Sequence, residues 1–478
     1  MTSTTLPESY TVEETGKHPK GLYVLFATEM WERFSFYSML AMFTLYLQDQ
    51  TDGFGWTRDR ATSLYAIYLA AVYFSPLVGG IIADRKLGYR RSVMIGGFFF
   101  MAGHLLLAFP IVWVMYAALA CLVVGNGFFK PNVSAMVGKL YPENSHLKDR
   151  AYNIFYMGIN IGAFLAPLVM EVVQSRVGYH PAFAVAAGGM VLSVVTLALF
   201  KRHLEGVDRG TGADPIKGEE PKATLTTVDA PPVEPEPHKA HPPKSALEMV
   251  SDARRVMALI VIFLIVIVFW MAFHQNGATW TYWANDNTDW GSSAVVPIII
   301  KVLTLGLISG EDVSGIISNA INPFFVIVLT FPLIGFWAWL DKMGKEPSTP
   351  AKMGIGMFLV AAAYMIMYQA ALSGGDTGKV SPWWLIGAYC VITLGELMLS
   401  PMGLSLVSKV APIRIRGLMM GGWFVATSIG NYLVGTIGVK WTDWSHSKFF
   451  LVVAIMSAAV GMILFIILKP LKKAMPGV

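Results

Sequence analysis

The chain has 478 residues, of which 55% are hydrophobic and only 14% are charged. Soluble domains carry about 25% charged residues, so this composition excludes an ordinary soluble protein and indicates an all-α polytopic membrane protein. The net charge of +5 belongs to the loops, and nothing in it favours a nucleic-acid partner. Cys121 and Cys390 lie within apolar segments and predict neither a disulfide framework nor a metal site.

Twelve apolar segments are long enough to cross the bilayer core, which takes about 20 helical residues. They lie near residues 21–48, 59–83, 91–110, 112–137, 150–174, 180–200, 254–283, 313–340, 351–372, 382–408, 414–438 and 447–469. Lysine and arginine crowd the loops after the second, fourth, sixth, eighth and tenth segments, and the alternate loops are poorer in them. By the positive-inside rule, both termini are cytoplasmic.

A polar stretch at residues 203–252, rich in Pro, Glu and Lys, separates two groups of six segments. It cannot bury a core, so we expect a flexible cytoplasmic linker. The chain is therefore predicted to have a tail at 1–20, a six-helix bundle at 21–202, the linker at 203–252, a second six-helix bundle at 253–470 and a tail at 471–478. This arrangement resembles the major facilitator fold, whose halves rock about a site at the membrane midplane.

Residues 285–312 do not fit the pattern of spanning segments. Their apolar part, from Val295 to Ile308, is short and contains Lys301. We expect an external loop with an interfacial helix, and a re-entrant segment is the alternative.

The first apolar segment contains three charged residues, Glu29, Glu32 and Arg33. Their spacing of i, i+3 and i+4 places them on one helical face. Charges within lipid are costly and usually mark a functional site. Two acids beside one guanidinium can form a proton switch, because protonating either acid changes what Arg33 can bind. A neutralised structural triad is the alternative.

Polar residues in other segments complete a second pattern. Lys130 lies in the fourth segment, Asn160 in the fifth, His274 in the seventh and Glu396 in the tenth. A cavity between the two groups would have a cationic wall, with Arg33 and Lys130, facing an acidic one. That suits a zwitterion whose carboxylate binds Arg33 and Lys130 and whose ammonium binds Glu396.

These stretches closely resemble the proton-dependent oligopeptide transporter family, in order, over nearly all of residues 20–470. The matching stretches are Glu29–Tyr37, which resembles the family's E-x-x-E-R-F-x-Y-Y motif, Gly79–Gly88, Lys130-Pro131-Asn132, Tyr152–Phe164, Glu396 and Gly417–Phe424. The resemblance implies proton-driven import of di- and tripeptides. We expect a monomer in the inner (plasma) membrane, embedded in lipid, with protons as the coupling ion and no other cofactor.

The resemblance also implies roles for individual residues. Positions matching Arg33 and Lys130 hold the peptide carboxylate, and the position matching Glu396 holds the amino terminus. The positions that line the pocket match Tyr37, Tyr73, Asn160 and Trp423. We expect proton coupling at Glu29, Glu32, Arg33 and His274, and a cytoplasmic gate at Asp84, Arg85 and Arg90.

Three positions depart from the family pattern. Phe36 replaces the first tyrosine of the motif, so one pocket hydroxyl is missing. Leu40 replaces an arginine, and His274 replaces an acid, that in many bacterial members pair across the outer gate. Here that pair is lost, so the gate must close differently.

Several alternatives stay open at this point. Lys130 could snorkel to the cytoplasmic edge, Glu396 could be a structural partner of Lys130, and His274 could be a pocket-lining hydrogen-bonder. The same fold could carry nitrate, an amino acid or a peptide-like drug, although Glu396 would repel a simple anion. A receptor that does not transport is a further alternative. An enzyme is not expected, and an ATP-driven pump is disfavoured because no Gly-Lys pair is followed by Ser or Thr.

Overall fold

The structure is a computed structural model that describes residues 17–141, 145, 147–204, 207, 247, 249–310 and 312–476. Most of the predicted tail at 1–20 and of the predicted linker at 203–252 therefore lies outside the described residues. Within them, the regular elements are helical, and one isolated bridge joins Thr288 to Val380. The all-α prediction is confirmed.

Among the described residues, twelve helices of at least 19 residues follow the twelve predicted segments in order. They are α1 (Lys20–Gln48), α2 (Arg58–Ile82), α3 (Tyr89–Leu107), α4 (Val112–Lys139), α5 (Leu147–Val177), α6 (Tyr179–Leu199), α7 (Asp252–Phe273), α8 (Ile321–Lys342), α9 (Thr349–Gly374), α10 (Pro382–Val410), α11 (Arg416–Gly438) and α12 (His446–Ile466). In the part of the chain that the structure describes, nine helices are long and apolar enough to cross a membrane.

Shorter helical elements join or extend these helices. They are Ala83–Leu87, Lys201–Leu204, His274–Gly277, Thr279–Asp286, Val296–Leu303, Gly315–Ala320, Ile413–Ile415, Lys440–Asp443 and Leu468–Ala474. The helix at Val296–Leu303 lies in the stretch for which an interfacial helix was expected. The helix at Leu468–Ala474 extends into the predicted C-terminal tail.

The seventh predicted segment is not one continuous helix. α7 ends at Phe273, a tight 3₁₀ turn covers His274–Gly277, and a separate helix begins at Thr279. Gly277 lies within the break and packs against α2, where a Cβ would lie 2.0 Å from the Tyr65 hydroxyl. Glycine therefore leaves room for the Tyr65 side chain at this turn.

The helices pack in two groups. Helices α1 to α6 contact one another, notably α1 with α5 and α6, and α4 with α2 and α3. Helices α7 to α12 do the same, notably α9 with α10 and α12. The groups meet mainly where α2 packs on α11 and where α5 packs on α8 and on Gly315–Ala320.

A close approach of α2 to α4 positions part of the candidate site. A Cβ on Gly79 would lie 1.9 Å from the carbonyl oxygen of Gly127, so the two backbones touch without side chains between them. Near this contact, Asn126 Nδ2 donates a hydrogen bond of 2.7 Å to the carbonyl oxygen of Val72. These contacts fix the turn of α4 that carries Lys130 against the turn of α2 that carries Tyr73.

Candidate functional site

The three charged residues of α1 form one buried cluster. Arg33 Nη2 donates a hydrogen bond of 2.7 Å to Glu32 Oε1, and Arg33 Nε also contacts Glu32. The same Nε lies 3.2 Å from Glu29 Oε1. The side chains are at most 3% exposed, and Glu29 Oε2 has no hydrogen-bond partner among the described residues. Two donors of the guanidinium are thus engaged by acids of its own helix.

Lys130 of α4 lies in the protein interior beside this cluster. Its ammonium nitrogen is 4.7 Å from the centre of the Tyr73 ring, a cation–π distance. It also interacts electrostatically with Arg33, Glu29 and Glu32. Lys130 therefore points toward α1 and α2, an orientation that argues against snorkelling.

Glu396 of α10 is oriented by a residue that the sequence did not single out. Asn322, in the first turn of α8, donates hydrogen bonds of 2.9 Å to Glu396 Oε2 and of 2.9 Å to Thr393 Oγ1. Glu396 is thus held by Asn322 and not by Lys130. An asparagine in an apolar segment was the available signal, although its partner depends on how α8 packs on α10.

Three tyrosines lie within electrostatic range of the charged groups of the site. Tyr37 and Tyr73 are each within this range of both Arg33 and Glu396. Tyr156 of α5, which the sequence did not single out, is within this range of Glu396 and Tyr37. The cationic and acidic sides therefore share these tyrosines as neighbours.

Asn160 and Trp423 have more local contacts. Asn160 is buried, and its Nδ2 donates a hydrogen bond of 2.9 Å to the carbonyl oxygen of Tyr156 on the same helix. Trp423 of α11 is buried against Gly403, where a Cβ would lie 1.7 Å from the indole, and its ring centre is 6.4 Å from that of Phe263. These described contacts place Trp423 in the packing between α11, α10 and α7.

His274 begins the 3₁₀ turn after α7. Its ring stacks on Trp270 at 4.8 Å and lies 5.4 Å from the Tyr73 ring, between centres. His274 Nδ1 is buried without a hydrogen-bond partner among the described residues. Because Tyr73 contacts both His274 and Lys130, the structure joins His274 to the cationic side of the site.

The predicted gate residues lie at the end of α2 and the beginning of α3. Asp84 and Arg85 are in the π-helical turn Ala83–Leu87, and Arg90 is in the first turn of α3. Gly88 connects the two helices with a φ of 77°, which favours glycine. Asp84 is half-buried and Arg85 is exposed.

Contacts between the two helix groups collect where α1 ends and α2 begins. The bonded pairs are Thr44 Oγ1 with the Gly277 carbonyl at 3.2 Å, Arg58 Nη2 with Asp286 Oδ2 at 2.8 Å, and the hydroxyls of Thr62 and Tyr282 at 2.9 Å. Thr442 also donates to Asp59 Oδ1 at 2.7 Å. These contacts hold the two helix groups together at this end.

The ion pair of Arg58 with Asp286 joins the same two helix groups as the outer-gate pair that Leu40 and His274 cannot form. Arg58 begins α2, and Asp286 ends the short helix after the 3₁₀ turn. The sequence did not predict this pair, because a charge at the edge of an apolar segment is common and does not indicate a partner. Its residues are 228 positions apart, so only the packing of α2 on the extension of α7 shows it.

The sequence is similar to those of known transporters. The sequence profile of the POT family matches residues 90–213 and 313–455. A di-/tripeptide transporter from Lactococcus lactis subsp. cremoris is 33% identical, over 96% of this chain and 97% of that protein.

Solved structures are similar as well. The crystal structure of peptide transporter POT in complex with sulfate has a TM-score of 0.81 at 27% identity, covering 99% of this chain and 100% of that one. A POT family transporter in complex with a thioalcohol-conjugated peptide has a TM-score of 0.81 at 26% identity, covering 98% and 99%. With a matching profile over more than half of its length and a relative along nearly all of it, the chain belongs to the POT family and is a transporter, not an enzyme.

Proposed function

We propose that this chain is a proton-coupled symporter that imports di- and tripeptides by alternating access. The relatives named as peptide transporters support the substrate class. The observation that carries the proposal is the placement of Arg33 between two buried acids, with Glu396 across a set of tyrosine hydroxyls. Such a site has a cationic end, an acidic end and a proton-dependent switch.

The two ends of the site suit the two ends of a short peptide. Arg33 and Lys130 bind the carboxylate, since a guanidinium and an ammonium both form charge-assisted hydrogen bonds with it. Glu396 binds the amino terminus. Asn322 occupies its Oε2 atom and fixes the carboxylate plane, so that Oε1 can accept from an ammonium group. We assign Tyr37, Tyr73 and Asn160 to the walls between these ends. Trp423, whose described contacts are with Gly403 and Phe263, joins them through its match to the family's pocket position.

Proton coupling follows from competition for Arg33. In this structure the acids of α1 engage the guanidinium. Protonation of Glu32 or Glu29 weakens that hold and frees Arg33 to bind the peptide carboxylate. A ligand moves a conformational equilibrium only through its different affinities for the two states, and the loaded site then turns inward. Each proton entering down a potential of 100 mV supplies ~2.3 kcal/mol.

We infer that this conformation is closed to the outside. With both termini in the cytoplasm, the end at which Arg58 meets Asp286 is external, and Asp84, Arg85 and Arg90 lie at the cytoplasmic end. The six-helix groups at 21–202 and 253–470 would rock about the site to exchange the two closures. The protein would work as a monomer in the lipid of the inner membrane, with protons as its coupling ion.

Uptake by purified protein in liposomes tests this function. A labelled dialanine should accumulate under an inward proton gradient and stop when a protonophore is added. Unlabelled di- and tripeptides should compete, whereas nitrate and single amino acids should not. Competition by nitrate alone would favour the same fold with another substrate. Binding of dialanine without any uptake would favour a receptor.

A further inference from the structure

The segment from Val295 to Leu307 exposes apolar side chains that no other described part of the chain covers. Ile298 is 62% exposed, Val302 is 68% exposed and Leu305 is 87% exposed. Exposed apolar side chains are costly in water and acceptable in hydrocarbon, a pattern typical of a segment that lies in the membrane surface.

An apolar cavity of about 250 Å³ lies beneath the short helix Val296–Leu303. Its walls come from that helix and from α5, α8 and α10, and they include Leu168, Ile299 and Ile321. Ile299 is 45% exposed, so the cavity opens on the protein surface. An engineered apolar cavity of ~150 Å³ stays free of water and takes up an apolar ligand.

The surroundings of the cavity match the headgroup region of a bilayer. Trp383, which lines the cavity and is half exposed, donates through Nε1 to Ser293 Oγ at 3.1 Å. Tryptophan collects at this depth because its ring is apolar and its N–H is polar. Lys301, on the same short helix, is exposed and adds a positive charge to this surface.

The cavity also adjoins the junction of the two helix groups. On α5, Leu168 lies two turns beyond the site residue Asn160, on the same face. On α8, Ile321 precedes Asn322, the partner of Glu396. Whatever fills the cavity therefore touches the helices that carry the site and that must slide past each other during transport.

We propose that this cavity binds one acyl chain of an anionic phospholipid from the outer leaflet, with the headgroup phosphate at Lys301. The apolar walls of the cavity suit an acyl chain, and the exposed ammonium of Lys301 attracts a negative headgroup. A basic residue near a membrane surface contributes enough electrostatic attraction to change anionic-lipid occupancy ~5-fold.

Photolabelling in liposomes tests the proposal. The full-length protein is placed in phosphatidylcholine vesicles that contain phosphatidylglycerol with a photoreactive group on one acyl chain. Labelled peptides should include residues 296–303 and 321–325. Ile299→Trp, which fills the cavity, should remove this labelling, whereas Val302→Trp, on the outward face of the same helix, should keep it. Lys301→Gln should reduce the labelling ~5-fold, and the control Lys379→Gln should leave it unchanged.

Each other outcome contradicts the proposal. Equal labelling of Ile299→Trp and Val302→Trp would show that the chain lies on the surface and outside the cavity. Equal labelling by phosphatidylcholine and phosphatidylglycerol probes, with no effect of Lys301→Gln, would exclude headgroup recognition. Loss of the label on adding a saturating hydrophobic dipeptide would assign the cavity to substrate side chains.

Discussion

The buried carboxylate of Glu171 in α5 accepts two hydrogen bonds from Ser314. The backbone nitrogen of Ser314 donates at 2.5 Å and the Ser314 hydroxyl donates at 2.8 Å. The backbone nitrogen of Ile317 donates to the same carboxylate at 3.1 Å. An acid of the first helix group therefore holds the short 3₁₀ helix that leads into α8. Arg176, one turn further along α5, donates to the Leu307 carbonyl at 2.8 Å.

Removal of this carboxylate should destabilise the closed state. Glu171→Ala leaves the buried N–H group of Ile317 and the half-buried N–H group of Ser314 without this acceptor, at a cost of about 1–3 kcal/mol for the buried one. We expect a clear fall in the melting temperature of the purified protein in detergent. Asp443→Ala is a suitable control, because the exposed pair of Asp443 with Lys440 contributes little. Equal melting temperatures for the two variants would show that Glu171 is not a clamp.

The ion pair of Arg58 with Asp286 should help to close the outer end. Both side chains are about one-third exposed, so the pair contributes at most ~1 kcal/mol, which is roughly a 5-fold change in population. In a chain with Cys121 and Cys390 replaced by serine, Leu40→Cys reports access from outside to an impermeant maleimide. Arg58→Ala should speed labelling 2- to 5-fold.

The exchanged pair, Arg58→Asp with Asp286→Arg, provides the matched control. It restores opposite charges at the same two positions, so labelling of the cysteine at position 40 should return toward the rate of the parent protein. A labelling rate that stays as high as in Arg58→Ala would mean that the charges do not form the closure.

The amino-terminal end of the peptide should depend on Glu396. A lost charge-assisted contact costs ~1.5–3 kcal/mol, so Glu396→Gln should weaken binding of a free dipeptide by at least tenfold. The same dipeptide with an acetylated amino group lacks the ammonium, so its affinity should fall little in Glu396→Gln. Binding is measured by tryptophan fluorescence or calorimetry on the purified protein. Equal losses for both ligands would remove Glu396 from the amine site.

His274 should contribute to proton sensing. Its ring contacts that of Tyr73, which also lies beneath the Lys130 ammonium, so a proton gained or lost at His274 would change the charge on the cationic side of the site. His274→Gln should therefore flatten the dependence of uptake on external pH between roughly 5.5 and 7.5. His104→Gln is the control, because His104 is also buried and stacked on an aromatic ring, that of Phe100, away from the site. A normal pH profile for His274→Gln would leave proton coupling to Glu29 and Glu32.

Local spacing made part of the site predictable. The contacts among Glu29, Glu32 and Arg33 follow from helical periodicity, and the twelve long helices follow from apolar segments. The break at Gly277 was missed because the apolar segment continues across it. The contact of Gly277 with Tyr65 from another helix is a tertiary contact, which sequence does not show.

Partners that come from distant helices could not be predicted. Asn322 and Glu396 are 74 positions apart, and Glu171 and Ser314 are 143 apart. Glu171 lies near the end of a predicted segment, where an isolated acid is ordinarily taken for a boundary residue. Its burial results from α5 packing on the segment before α8, which is a tertiary contact.

We propose that the acids of α1 couple protons to peptide binding through Arg33. Uptake by Glu32→Gln is compared with uptake by the unaltered protein in the same liposomes, once under an inward proton gradient and once in peptide counterflow without a gradient. Glu32→Gln should lose gradient-driven accumulation and keep part of its counterflow exchange, because the site still binds peptide. Full gradient-driven accumulation by Glu32→Gln would exclude this coupling.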